Sequence, residues 1–152
     1  MKRLHVSFNA SDLEKSIAFY TELFGAAPSL RKDDYAKWML DDPRVNFVIE
    51  GGGGTPGFTH AGIQTESEEE LHEVFDRLKE AEAPYLPEGV TTCCYHKSEK
   101  SWTTDPDGVA WEAFYTFHQT EERGHSNLEA DAYDVPPAQA ANITGCGLSG
   151  CC

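Results

Sequence analysis

Apolar and polar residues alternate over residues 2–8, and this period of two predicts a half-buried strand. A helix is predicted next, because Ser11 and Glu14 form a capping-box pattern and apolar residues then recur at helical spacing as far as Gly25. Three further strands are predicted at 28–32, 35–40 and 45–49. The first 50 residues therefore predict a βαβββ module.

The same order of elements returns after a glycine-rich segment. Residues 51–57, GGGGTPG, cannot continue a strand or a helix and predict a junction. A strand at 58–64 is followed by a helix that Ser67 and Glu70 cap. Strands are then predicted at 90–95, 101–104 and 109–117. The pattern predicts one α+β domain, 1–117, built from two paired βαβββ modules at 1–50 and 58–117.

Charge and hydropathy exclude several classes of partner. The chain has 152 residues and a formal net charge of −14, from 12 Lys and Arg against 26 Asp and Glu. Nucleic acids and anionic membranes attract basic surfaces, so neither is expected as a partner. The chain also lacks a signal-like apolar segment, which predicts a cytoplasmic protein. Because both modules lie in one chain, a monomer is sufficient to build the domain, and a homodimer remains an alternative.

The five cysteines are unevenly placed. Cys93 and Cys94 are adjacent, whereas Cys146, Cys151 and Cys152 lie within the last seven residues. Those three belong to a segment, 118–152, that lacks an apolar period and is predicted to be a disordered tail. Reduced thiols in a cytoplasmic protein indicate a metal, metalloid or redox role rather than a disulfide framework.

Two histidines and one glutamate occupy related places in the two modules. His5 and His60 each lie in the first strand of a module, and Glu112 lies in the closing strand among aromatic residues, where an unpaired carboxylate is costly to bury. Two imidazoles and one carboxylate form the facial triad of non-haem Fe(II) centres, although Zn, Mn, Ni and Co accept the same donors. The alternative stays open that these are ordinary strand residues and that Glu112 faces solvent.

Together these features resemble the glyoxalase, bleomycin-resistance and dioxygenase superfamily, also called the vicinal oxygen chelate fold. The resemblance is carried by the first-strand histidines, by IAFYTELFG in the first helix and by DPDGVAWEAF in the last strand. It covers residues 1–117. The resemblance implies that the modules form a cup whose inner face holds a divalent metal, with His5, His60 and Glu112 as ligands.

The segment TTCCYHKSEK and the C-terminal GCGLSGCC are similar to carbon–arsenic lyases of the ArsI type and to related cadmium-induced proteins. That resemblance implies an Fe(II)-dependent dioxygenase that uses dioxygen to cleave trivalent organoarsenicals, methylarsenite or aromatic ones, and releases arsenite. Cys93 and Cys94 would bind the arsenic, and His96 is a candidate proton donor unless it is a solvent-exposed histidine. The tail cysteines either capture arsenic or belong to a passive tail: Cys146, Cys151 and Cys152.

Three alternatives remain open. Neighbouring residues on a regular strand point to opposite faces, so Cys93 and Cys94 can chelate one atom only from a bulge or a loop; otherwise they are a buried or redox-sensing pair. A non-catalytic resistance protein that binds cadmium or arsenicals would use the same fold and thiols. Another enzyme of the superfamily, a glyoxalase, an isomerase or an extradiol dioxygenase, is also compatible with the fold.

Overall fold

The computed structural model describes residues 1–125. Its elements are β1 (Arg3–Asn9), α1 (Leu13–Phe24), β2 (Leu30–Lys32), β3 (Tyr35–Asp41), β4 (Arg44–Glu50), β5 (Gly57–Thr65), α2 (Glu68–Glu80), β6 (Leu86–Thr104) and β7 (Ala110–Gly124). They form two compact units, one of residues 3–61 and one that begins at Gly62 and includes Met1 and Lys2. The boundary falls within β5, so this strand contributes to both units. Neither helix is long and apolar enough to cross a membrane.

In the unit of residues 3–61, the strand order is β2-β3-β4-β1-β5. β1 pairs with β4 in parallel, whereas β3 pairs antiparallel with both β2 and β4. Helix α1 covers one face, where Ile17 packs in a core with Trp38 and Phe47. Trp38 is fully buried, and its Nε1 donates to the carbonyl oxygen of Ala26 at 2.9 Å. Because side chains alternate along each strand, His5 lies on the face opposite this core.

Both predicted helices form, but α1 is capped differently from the prediction. Its N-cap is Asp12 rather than Ser11, and the Asp12 carboxylate accepts from the backbone N–H of Lys15 at 3.1 Å. The Asp12 carboxylate also lies 2.7 Å from the Lys15 ammonium, an ion pair that serine could not form. Gly25, at φ 63°, ends the helix as predicted. In α2, Ser67 accepts from the backbone N–H of Glu70 at 3.2 Å, again as predicted.

In the unit that begins at Gly62, the strand order is β5-β7-β6 and helix α2 packs on β7. Strand β7 continues to Gly124, so the prediction that the ordered domain ends at residue 117 is wrong. The sequence 118–124 is polar, but its backbone pairs with β6, including Lys97 opposite His118. The remainder of the predicted tail, with its three cysteines, lies outside the described residues.

Strand β6 reverses direction along its length. The indole Nε1 of Trp102 donates to Oε2 of Glu88 at 2.8 Å, although 14 residues separate them. Fourteen residues of straight strand would span about 46 Å, so the chain must turn back between these two positions. The sequence predicted two runs here, 90–95 and 101–104. The structure includes both in one strand, whose backbone is irregular at Cys94, with a φ of 56°.

Candidate metal centre and thiol pair

His5 and His60 face each other in the unit of residues 3–61. They lie on the neighbouring strands β1 and β5, and their Nε2 atoms are 3.3 Å apart. Metal–nitrogen bonds of about 2.0–2.1 Å that meet at roughly 90–110° place two nitrogens about 2.9–3.4 Å apart. The observed separation therefore fits two imidazoles that share one metal ion.

The second ring nitrogen of each histidine also has a partner. Nδ1 of His5 lies 3.1 Å from the carbonyl oxygen of Asn46, which is opposite His5 in the parallel ladder. A carbonyl can only accept, so Nδ1 carries the proton and Nε2 presents its lone pair. Nδ1 of His60 lies 3.1 Å from Oγ1 of Thr59. Metal-binding histidines are typically oriented by such bonds to their second nitrogen, so the donor set is suited to a cation.

Glu112 is buried on β7, in the unit that begins at Gly62. Its side chain is 5% exposed, which excludes the alternative that this carboxylate faces solvent. Oε2 of Glu112 accepts from Nζ of Lys100 at 3.2 Å. Glu112 also packs closely over Gly62, where an added Cβ would come within 2.7 Å of Cγ of Glu112. The missing side chain at Gly62 leaves the space that Glu112 fills.

The thiols of Cys93 and Cys94 lie side by side. Their sulphur atoms are 3.6 Å apart, far beyond the roughly 2.05 Å of a disulfide, so both are reduced. The left-handed φ of Cys94 and a shift of the β6–β7 register between Cys94 and His96 turn neighbouring side chains to one side. Two thiolates about 2.3 Å from a soft ion are roughly 3.3–3.8 Å apart, taking zinc as the reference. The pair can therefore ligate one soft atom.

The sequence profile of the glyoxalase/bleomycin resistance protein/dioxygenase superfamily matches residues 2–113. The chain belongs to this superfamily. A trivalent organoarsenical cleaving enzyme of Bacillus sp. is 46% identical over 127 residues, which are 80% of this chain and 78% of the relative. The cadmium-induced protein CadI of Mycobacterium bovis is 35% identical over 135 residues, 88% of this chain and 89% of the relative.

Solved structures share the fold at much lower sequence identity. An extradiol ring-cleaving dioxygenase from B. fuscum superposes with a TM-score of 0.57 at 16% identity. The match covers 78% of this chain but 34% of the dioxygenase chain. The likeness confirms the predicted α+β fold, while at this identity it carries no information on the reaction.

The remaining predicted residues have less defined surroundings. His96 is half-buried and lies opposite Gln119 in the β6–β7 ladder, and its role as a proton donor stays a prediction. The arsenic-capture prediction falls outside the described residues: Cys146, Cys151 and Cys152. Sequence reasoning missed Gly62 and Lys100, because no local pattern indicates that both residues contact Glu112.

Proposed function

We propose that this superfamily member cleaves the carbon–arsenic bond of trivalent organoarsenicals, methylarsenite or aromatic ones, as an Fe(II)-dependent dioxygenase that releases arsenite. The observation that carries the proposal is the sulphur pair of Cys93 and Cys94, 3.6 Å apart. A mono-organyl arsenic(III) has two exchangeable oxygen substituents, so two thiols can replace both and leave the carbon–arsenic bond intact. The name of the Bacillus relative, a trivalent organoarsenical cleaving enzyme, supports this substrate class.

We assign the metal to His5, His60 and Glu112. The assignment is supported by the fit of the two Nε2 atoms to one ion and by the buried carboxylate of Glu112. Within the unit that begins at Gly62, Glu112 is held close to the backbone of β5, because it packs on Gly62. An iron(II) ion held by these donors would keep positions open for dioxygen chemistry.

The chain's own contribution to the reaction is capture and orientation of the arsenical. When Cys93 and Cys94 bind it, their two sulphur–hydrogen bonds are replaced by two sulphur–arsenic bonds, and the protons leave with the two displaced hydroxides as water. The chelate then fixes the direction of the organic group. Holding a reactant in one orientation can lower a barrier by several kcal/mol, so this step is a large part of what the protein supplies.

A second function, non-catalytic binding of cadmium or arsenicals in resistance, is favoured by the relative named cadmium-induced protein. Cadmium is also a soft ion, and two thiolates suit it. Storage of this kind needs Cys93 and Cys94 but neither iron nor oxygen. A cytoplasmic location and a monomeric or homodimeric state stay predictions under both functions.

The deciding experiment measures arsenite released from methylarsenite by Fe(II)-loaded protein, with and without oxygen. Cleavage that requires both iron and oxygen supports the dioxygenase, and tight binding without cleavage in either condition supports storage. C93S and C94S should lose arsenical affinity and keep the iron, whereas E112A should lose the iron. H60A should also lose the iron, and its matched control is H118A, which changes an exposed histidine of β7 and should retain the iron.

A further inference from the structure

Lys100 is a buried cation that the proposed reaction does not yet use. Its Nζ lies 3.2 Å from Oε2 of Glu112, and the two side chains are 11% and 5% exposed. Lysine is rarely buried to this extent unless its charge is paired. This buried ion pair therefore restrains the position of one oxygen of the Glu112 carboxylate.

Two aromatic rings lie close to the ammonium of Lys100 and help to set its position. Nζ lies 5.9 Å from the ring centroid of Trp102 and 6.0 Å from that of Phe114, within reach of cation–π attraction. Trp102 is itself anchored by its hydrogen bond to Glu88. Lys100 is directly opposite Phe114 in the β6–β7 ladder, so the backbone also sets its place.

We propose that Lys100 is a positioning residue of the metal centre, whose ammonium holds Oε2 of Glu112 and leaves Oε1 to bind the metal ion. This inference rests on the proposed role of Glu112 as a ligand. A carboxylate that binds through one oxygen occupies one coordination position, whereas one that binds through both occupies two. By holding Oε2, Lys100 keeps one more position available to other ligands.

The test titrates metal-free protein with Co(II), whose visible spectrum reports its coordination number. K100M removes the charge at similar length, K100R keeps a cationic donor, and K97M changes an exposed lysine of the same strand. We expect K100M to weaken Co(II) binding about 10–100-fold, the usual cost of losing a partner of a ligand, and to change the spectrum. K100R should restore the wild-type spectrum, and K97M should leave both readings unchanged.

A folded K100M protein with wild-type affinity and spectrum would overturn the proposal. If K100M does not fold, X-ray absorption of Co(II)-loaded wild-type protein decides instead, because a carboxylate bound through both oxygens is incompatible with the role of Lys100. E112A distinguishes a failure of Glu112 as a metal ligand from a failure of the positioning role of Lys100. Full Co(II) binding by E112A would remove Glu112 from the ligand set. If E112A loses Co(II) binding while K100M keeps the wild-type affinity and spectrum, only the role of Lys100 is refuted.

Discussion

Replacing Gly62 by alanine should weaken metal binding by displacing Glu112. An alanine Cβ would lie 2.6 Å from the backbone oxygen of Glu112 and 2.7 Å from its Cγ, while ordinary contact begins at 3.4 Å. The required displacement is therefore about 0.7–0.8 Å, the difference of these distances. Metal–ligand distances tolerate deviations of only about 0.2 Å, so the carboxylate moves several times too far. We expect the Co(II) affinity to fall by at least about tenfold, the usual cost of a change that disturbs the orientation of a metal ligand.

The assay compares the Co(II) dissociation constant and the urea unfolding free energy of wild type, G62A and G52A. Overpacking should lower the unfolding free energy of G62A by about 1–3 kcal/mol, which leaves a folded protein to measure. G52A is the matched control, because a Cβ at Gly52 meets nothing within 4 Å. Binding of phenylarsine oxide by metal-free G62A should be unchanged. Wild-type Co(II) affinity in folded G62A would refute the placement of Glu112 at the metal.

Three further changes separate the thiols, the core and the tail. G124A should weaken phenylarsine oxide binding about tenfold and leave Co(II) binding unchanged, because an added Cβ overlaps the carbonyl oxygen of Thr92, the residue before Cys93. Equal phenylarsine oxide affinity of G124A and wild type would contradict this prediction. W38A, at a fully buried indole, should lower the urea unfolding free energy by about 3–5 kcal/mol. Deleting residues 141–152 should slow capture at low arsenical concentration and spare turnover at saturation, and a fully inactive truncation would contradict that role.

The elements that sequence predicted well are those with a local cause. Apolar periods and caps located both helices, and Ser67 and Gly25 act where the pattern placed them. The extension of β7 over 118–124 could not be predicted in this way, because polar side chains there conceal a backbone that pairs with β6. Hydrophobic periodicity reports burial of side chains, whereas strand pairing at a polar edge depends on a partner strand elsewhere in the chain.

The residues of the candidate site also differ in whether a local sequence pattern or a contact between distant strands determines their place. The proximity of His5 and His60 could be predicted because they occupy matching strands, and the structure brings their Nε2 atoms to 3.3 Å. Their role as metal ligands stays a prediction. Lys100 and Gly62 could not, because their contacts with Glu112 depend on which residues of distant strands lie opposite each other. Likewise, the sequence showed that Cys93 and Cys94 needed irregular backbone, and the left-handed φ of Cys94 supplies it.

The difference in chemistry between the two donor sets argues for catalysis over storage. A protein that only retains cadmium or an arsenical needs soft sulphur donors, which Cys93 and Cys94 provide. It would not need the proposed ligand His5, whose Nδ1 bond to the Asn46 carbonyl leaves Nε2 with a lone pair of the kind that iron and zinc accept. H5A should therefore abolish arsenite release while leaving phenylarsine oxide affinity within about twofold of wild type, since the thiols are untouched. Under the storage function H5A would change neither reading, and arsenite release would be absent from the wild-type protein as well.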